Sequence, residues 1–309
     1  MALIRNLLLA GSESRWLRDR ATRTAFVRRS VSRFMPGEGM DDALRAATEL
    51  QSAGLPTILT HLGENVRDAS EADAVVAHYI ALLDRIRDAG VDAQISVKPT
   101  QLGLDLGTEM CRRHLVRLAA RALNNGNMLW IDMEGSAYVD RTVDLYRDLR
   151  SEFRNTGVCL QAYLRRTPEI LDSLIPLGPA IRIVKGAYRE PPSVALPEKA
   201  QVDERFYKLC TRLVERDAQA ANAFAGIATH DAALIARLQA SLAERRVPAE
   251  RFEFEMLYGI RRDLQAQLAR AGARVRVLIS YGEYWFPWYM RRLAERPANL
   301  WFVAKNLIG

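Results

Sequence analysis

The sequence predicts an α/β fold, a (β/α)8 barrel with helices ahead of it. Three observations predict it. Short β-rich runs alternate with longer amphipathic segments after about residue 57. Eight such units fill about 230 residues, the size of one closed barrel. No G-x-G-x-x-G follows the first strands, so a dinucleotide-binding open sheet has no support. Alternation of this kind implies parallel strands joined by right-handed crossovers.

The strand runs are 57–62, 93–97, 128–133, 158–163, 181–184, 226–229, 252–257 and 275–279. Helical periodicity covers 72–89, 109–123, 139–153, 168–175, 204–224, 232–245, 261–271 and 287–294. Gly90, Gly178 and Gly272 stand where helices stop. Before the barrel, 40–50 has Ala43, Leu44, Ala47 and Leu50 at helical spacing, with Asp41 and Asp42 in the first turn and Gly54 beyond the end. Residues 1–54 are thus expected to form a helical segment, and 55–309 the barrel.

Composition narrows the function classes. The 309 residues are 49% apolar and 26% charged, enough to build a large core and too apolar for disorder. The net charge of +7 is concentrated near the start, where Arg5, Arg15, Arg18, Arg20, Arg23, Arg28, Arg29 and Arg33 face only Glu13 and Asp19. Such an arm is a solvated helical face or a contact for an anionic membrane. No aromatic stacking pattern accompanies the arginines, so nucleic acid is not expected as a partner. Cys111, Cys159 and Cys210 show no disulfide framework and fit a reducing, cytoplasmic compartment. No signal peptide and no membrane span is expected.

Barrel active sites lie at the C-terminal ends of the strands. That rim carries His61 and Glu64, then Lys98, then Asp132 and Glu134, then Gln161 and Tyr163. It continues with Lys185 and Tyr188, His230 and Asp231, Leu257 and Tyr258, and finally Tyr281, Glu283 and the Arg291–Arg292 pair. So many polar groups at one rim are simplest to explain as a binding site. Two adjacent arginines suit a carboxylate, because each guanidinium offers paired donors and keeps its charge. No metal is expected: the four histidines lack H-E-x-x-H spacing. A nucleophilic serine has no G-x-S-x-G elbow. Lys98 and Lys185, both at strand ends, leave a Schiff-base lyase or aldolase open, and a barrel that only binds is a third reading.

Several runs resemble the proline dehydrogenase family. They are Ile95-Ser-Val-Lys98-Pro, Ile131-Asp132-Met-Glu134, Leu160-Gln161-Ala-Tyr163, Arg182-Ile-Val-Lys185-Gly186-Ala187-Tyr188, Ala228-Thr229-His230-Asp231 and Met256-Leu257-Tyr-Gly259. The most specific is the stretch from Tyr281 through Trp285 and Arg291-Arg292 to Asn299. The resemblance implies a distorted (β/α)8 barrel holding noncovalent FAD, which oxidises the ring C–N bond of L-proline to pyrroline-5-carboxylate. It implies hydride transfer to flavin N5 and a quinone as the electron acceptor, met peripherally at the inner face of the membrane.

The resemblance also assigns roles. Arg182 lies near flavin N5; Gln161, Lys185, Gly186 and Ala187 cradle the flavin; Thr229 and His230 meet its phosphate–ribitol part. Asp132 stands beside both the flavin and the active-site lysine. Lys98, Arg291 and Arg292 hold the substrate carboxylate, Tyr188 and Leu257 wall the ring, and Glu64 pairs with the first arginine to close the site. Four positions depart from the family pattern. Leu278 replaces a tyrosine that shapes the pocket, Ser280 a common proline, Trp288 a common tyrosine and Arg189 a frequent aromatic residue. Leu278 therefore makes a related cyclic amino acid an alternative substrate.

Overall fold

The computed structural model describes residues 31–295. The arginines of the basic arm up to Arg29 lie outside these residues, as do Pro297 and Asn299.

Eight parallel strands close in the order β1 to β8, and β8 returns to β1. They are β1 Thr57–His61, β2 Ala93–Val97, β3 Leu129–Ile131, β4 Thr156–Gln161, β5 Ala180–Val184, β6 Phe224–Ala228, β7 Phe252–Leu257 and β8 Val275–Tyr281. Each predicted run overlaps one strand.

The helices are α1 Met40–Ser52, α2 Ala69–Asp88, α3 Thr108–Asn124, α4 Val139–Glu152 and α5 Thr167–Leu174. They continue with α6 Lys199–Arg212, α7 Arg216–Ala220, α8 Ala232–Glu244, α9 Arg262–Arg270 and α10 Trp285–Glu295. Asp68 caps α2 by accepting from Glu71 N, and Asp231 caps α8 by accepting from Leu234 N.

One expectation needs correction. The single helix over 204–224 is two, because Glu215 is extended (φ −71, ψ 163) and stands at the N-terminal boundary of α7. Asn222 at φ 66 then ends the turn, and β6 starts at Phe224, earlier than predicted. The apolar spacing of Phe206, Leu209, Cys210 and Leu213 runs on into Val214 and Ala218, all buried, which hides the break.

Strand alternation sorts side chains into two sets. Leu59, Ile95, Val97, Ile131, Ile183, Ile227, Met256 and Ile279 point outward and join the main core under the helices. The inward set includes Ile58, Ser96, Trp130, Arg182, Glu253, Glu255, Arg276 and Leu278, and much of it is polar. The described part of the N-terminal segment is fused to this core: Ala43, Leu44, Ala46 and Ala47 of α1 are buried in it, and α1 packs across β1 and β8.

Candidate active site

Two ion-pair layers fill the barrel. The lower one joins Arg276 to Glu253 at 2.8 Å and to Asp92 at 2.9 Å, with Thr57 O also accepting from Arg276 Nη1. The upper one centres on Arg182. Its Nε donates to Glu255 Oε2 at 2.5 Å. Its Nη1 donates to Asp132 Oδ1 and to Ser96 Oγ, both at 3.1 Å. Ser96 Oγ in turn donates to Asp132 Oδ1 at 2.7 Å. The guanidinium lies over the Trp130 ring, 4.6 Å from its centroid. Burial opposes the charge on Arg182, but Glu255 and Asp132 hold it protonated. Its Nη2 is buried with no protein partner.

At the exits of β2 and β3, Lys98 is buried and opens a short 3-10 turn, Pro99–Leu102. Glu134 secures that turn: its Oε2 accepts from Thr100 N at 3.0 Å and its Oε1 from Thr100 Oγ1 at 2.6 Å. Burial pushes Glu134 up to about 7, against those hydrogen bonds and the nearby Lys98. Glu64 stands close enough to raise it further. The structure thus brings Lys98 and Glu64 together around Glu134.

At the exit of β1, the His61 and His78 rings stack with centroids 4.3 Å apart, and His78 Nε2 lies 2.7 Å from the Tyr281 hydroxyl. Burial, then His78 and Lys98, lowers His61 to about 4.

Across the rim, Lys185 Nζ is engaged by Asp203 at 2.5 Å and Asp231 at 3.2 Å. Gly186 follows at φ 113, and a Cβ there would run into the Tyr163 ring, so the chain can turn at this point only without a side chain. Ala187 and Tyr188 are half-buried beyond it. Gln161 donates to Met133 O at 3.2 Å, while its buried Oε1 has no protein partner. Thr229 Oγ1 accepts from Asp231 N at 3.2 Å. His230 Nε2 accepts from Leu257 N at 2.8 Å and so ties the exits of β6 and β7 together.

The wall between β7 and β1 is apolar. Leu257 stands beside Leu278, and Leu278 beside Ile58, in the strand register. Ser280 sits next to Thr60 one pleat higher, with its hydroxyl buried and unpartnered. Trp288 packs into a separate cluster with Val31, Met35, Leu62 and Trp285. Arg291 and Arg292 are consecutive on α10, and Arg189 is exposed.

Sequence reasoning passed over Glu255 and Ser96, and gave Glu134 no role. A signal for Glu255 existed. Glu253 and Glu255 share one face of a buried strand, and Arg182 and Arg276 are cations inside two others; charges there require partners. Among the described residues, no group of three His, Cys, Asp or Glu could hold a metal ion. Likewise, no helix among them is long and apolar enough to cross a membrane.

The orphaned Arg182 Nη2 and Gln161 Oε1, beside a glycine-lined backbone, fit a planar ligand rich in donors and acceptors, as a flavin ring is. Comparison with known proteins agrees. A family model described as proline dehydrogenase matches residues 43–305. The chain is 35% identical over 306 residues to Proline dehydrogenase 1 of Bacillus subtilis (strain 168), covering 99% of each. It is 36% identical over 283 residues to Proline dehydrogenase of Deinococcus radiodurans, covering 90% of each. Among solved structures, proline utilization A (PutA) from Bdellovibrio bacteriovorus superposes with a TM-score of 0.80 at 22% identity. That match takes in 86% of this chain and 32% of the other, so the chain spans about a third of that protein and the likeness speaks for the fold. With kinship running almost end to end through two relatives of its own length, the chain belongs to the proline dehydrogenase family and is a flavin-dependent oxidoreductase acting on a CH–NH group.

Proposed function

We propose that the chain oxidises L-proline, or a closely related cyclic amino acid with a free carboxylate, to the pyrroline-5-carboxylate imine, using FAD. The observation that carries this reading is the buried Arg182, whose Nη2 has no protein partner at the upper end of the barrel interior. When bound, FAD supplies the two-electron acceptor that takes hydride at N5. Arg182, Asp132, Gln161, Lys185, Gly186, Ala187, Thr229 and His230 are the residues that would hold it. A fixed cation at Arg182 favours the negative charge that reduction brings.

Lys98, Arg291 and Arg292 bind the substrate carboxylate. Leu257 and Leu278 wall the ring, Tyr188 lies over it, and Glu64 pairs with Arg291 to close the site and exclude water. Electrons leave to a quinone, met at the membrane surface through the basic N-terminal arm. Residues 55–309 form the catalytic barrel and 1–54 a helical segment ahead of it.

The visible spectrum of the purified protein, before and after anaerobic L-proline, tests this. Flavin bands that bleach with proline support both cofactor and substrate. Bands that persist point to another cyclic amine, with Leu278 as the reason. A protein that takes up no FAD refutes the reading.

A further inference from the structure

The chemistry proposed above makes no use of Glu255, the most deeply buried carboxylate in contact with Arg182. Its Oε2 takes the Arg182 Nε hydrogen bond at 2.5 Å. Its Oε1 is buried and has no protein partner. Gly226, across the ladder on β6, leaves the room that this oxygen occupies, since a Cβ there would overlap it. A structural ion pair is worth keeping only when its remaining lone pairs are also satisfied. Glu255 fails that test on one oxygen, which is the natural seat for a proton.

The charged groups facing Glu255 are Arg182 on β5, Glu253 on its own strand and Arg276 on β8; Asp132, just past the end of β3, acts through Arg182. Cys159 on β4 remains a thiol, pushed up to about 12 by burial. Burial raises Glu255, Arg182 pulls it back and Glu253 raises it again, leaving it at about 7. Arg182 keeps its charge at every accessible pH. The charge of the buried Arg182–Glu255 pair can therefore change only through the carboxylate, whose Oε1 has no protein partner.

We propose that Glu255 is a positioning residue whose ionisation sets the net charge Arg182 presents to bound flavin, so that flavin reduction is linked to proton uptake by Glu255. This rests on the reading that places Arg182 beside the flavin. The balance is as follows. Substrate enters as an ammonium and loses one proton from nitrogen and a hydride from carbon, leaving the protonated imine. The hydride carries both electrons to the flavin. The negative charge gained there raises the proton affinity of Glu255, which takes up one proton, equal in number to the one the substrate nitrogen releases.

The test is the midpoint potential of the flavin in the holoenzyme, measured by spectroelectrochemistry from about pH 5.5 to 8.5, a range that spans a carboxyl raised toward neutrality. In the wild type, the slope of potential against pH doubles across a window near neutrality, from one proton per two electrons to two. In Glu255→Gln it stays at one throughout, and the potential lies above the wild type at high pH because the amide no longer offsets Arg182. Should Glu255→Gln fail to fold or to hold flavin, Glu253→Gln leaves Glu255 in place and removes the like charge beneath it. The steep window must then move to lower pH. Equal slopes in wild type and Glu255→Gln, or an unmoved window in Glu253→Gln, overturn the proposal while leaving the functional reading intact. A wild-type chain that takes up no flavin overturns that reading, and this proposal with it.

Discussion

Replacing Gly226 by alanine adds one methyl group at a place where no methyl fits. The new Cβ would overlap Glu255 Oε1 and come within 3.3 Å of the Arg182 Cα. Backbone on one side cannot give way, so the carboxylate must, and its contact with Arg182 Nε opens. Overpacking a filled core costs about 1–3 kcal/mol. Breaking a buried ion pair costs about 3–5 kcal/mol, although Asp132 still holds the other end of the guanidinium here, so the lower end applies. Together these predict a loss of about 4–6 kcal/mol, or roughly 6–9 °C in melting temperature for a chain of this size. Thermal unfolding followed by circular dichroism measures it. Glu255→Asp, which withdraws the carboxylate by one methylene, should recover at least about 1 kcal/mol in the Gly226→Ala background, a coupling that distant sites do not show. A Gly226→Ala protein as stable as wild type would refute the close approach and the packed upper layer with it.

Other substitutions probe the rim. Leu278→Tyr adds a hydroxyl to the wall formed with Ile58 and Leu257, and should raise kcat/KM for L-proline about 2- to 10-fold, the worth of one hydrogen bond; a variant that binds flavin but has lost all turnover would contradict that account of the wall. Glu134→Ala frees Thr100 N and Oγ1 and loosens the turn bearing Lys98; steady-state kinetics should show KM rising about 10-fold with flavin content unchanged. His61 is held neutral in the fold, with its pKa lowered to about 4. Its contribution is therefore complete above the ordinary histidine range and is lost as pH falls toward 4. Denaturant unfolding at pH 7 and 4.5 should show wild type losing about 1–2 kcal/mol more than His61→Asn, a figure reduced for the partial exposure of the ring.

The barrel was legible because its period is strong. Each strand is bracketed by turn residues, and its outward positions are aliphatic, so eight runs stand out from eight helical stretches. The helix break at Glu215 was not legible, since apolar spacing continues across it and backbone extension at one residue leaves no mark in composition. At the site, rim residues could be read from strand ends. Lys185 could not be read as engaged by Asp203, which comes from α6. Nor could the tie from His230 to the backbone of Leu257, because it depends on how two strand exits lie side by side. Glu255 shows the general limit. A residue inside a closed sheet meets partners from strands far off in sequence, Arg182 being 73 positions away, and only closure decides which charges face one another.

The alternation of inward and outward positions has a consequence for how such a chain can change over generations. Val277 and Ile279 belong to the apolar layer beneath the helices, whereas Leu278, between them, faces the lumen. Two neighbouring codons thus answer to different demands, one to architecture and the other to reactivity. A lineage can exchange lumenal residues and drift toward a new substrate while its scaffold is inherited intact. Leucine at position 278 stands at a place where such a step can be taken without touching the scaffold.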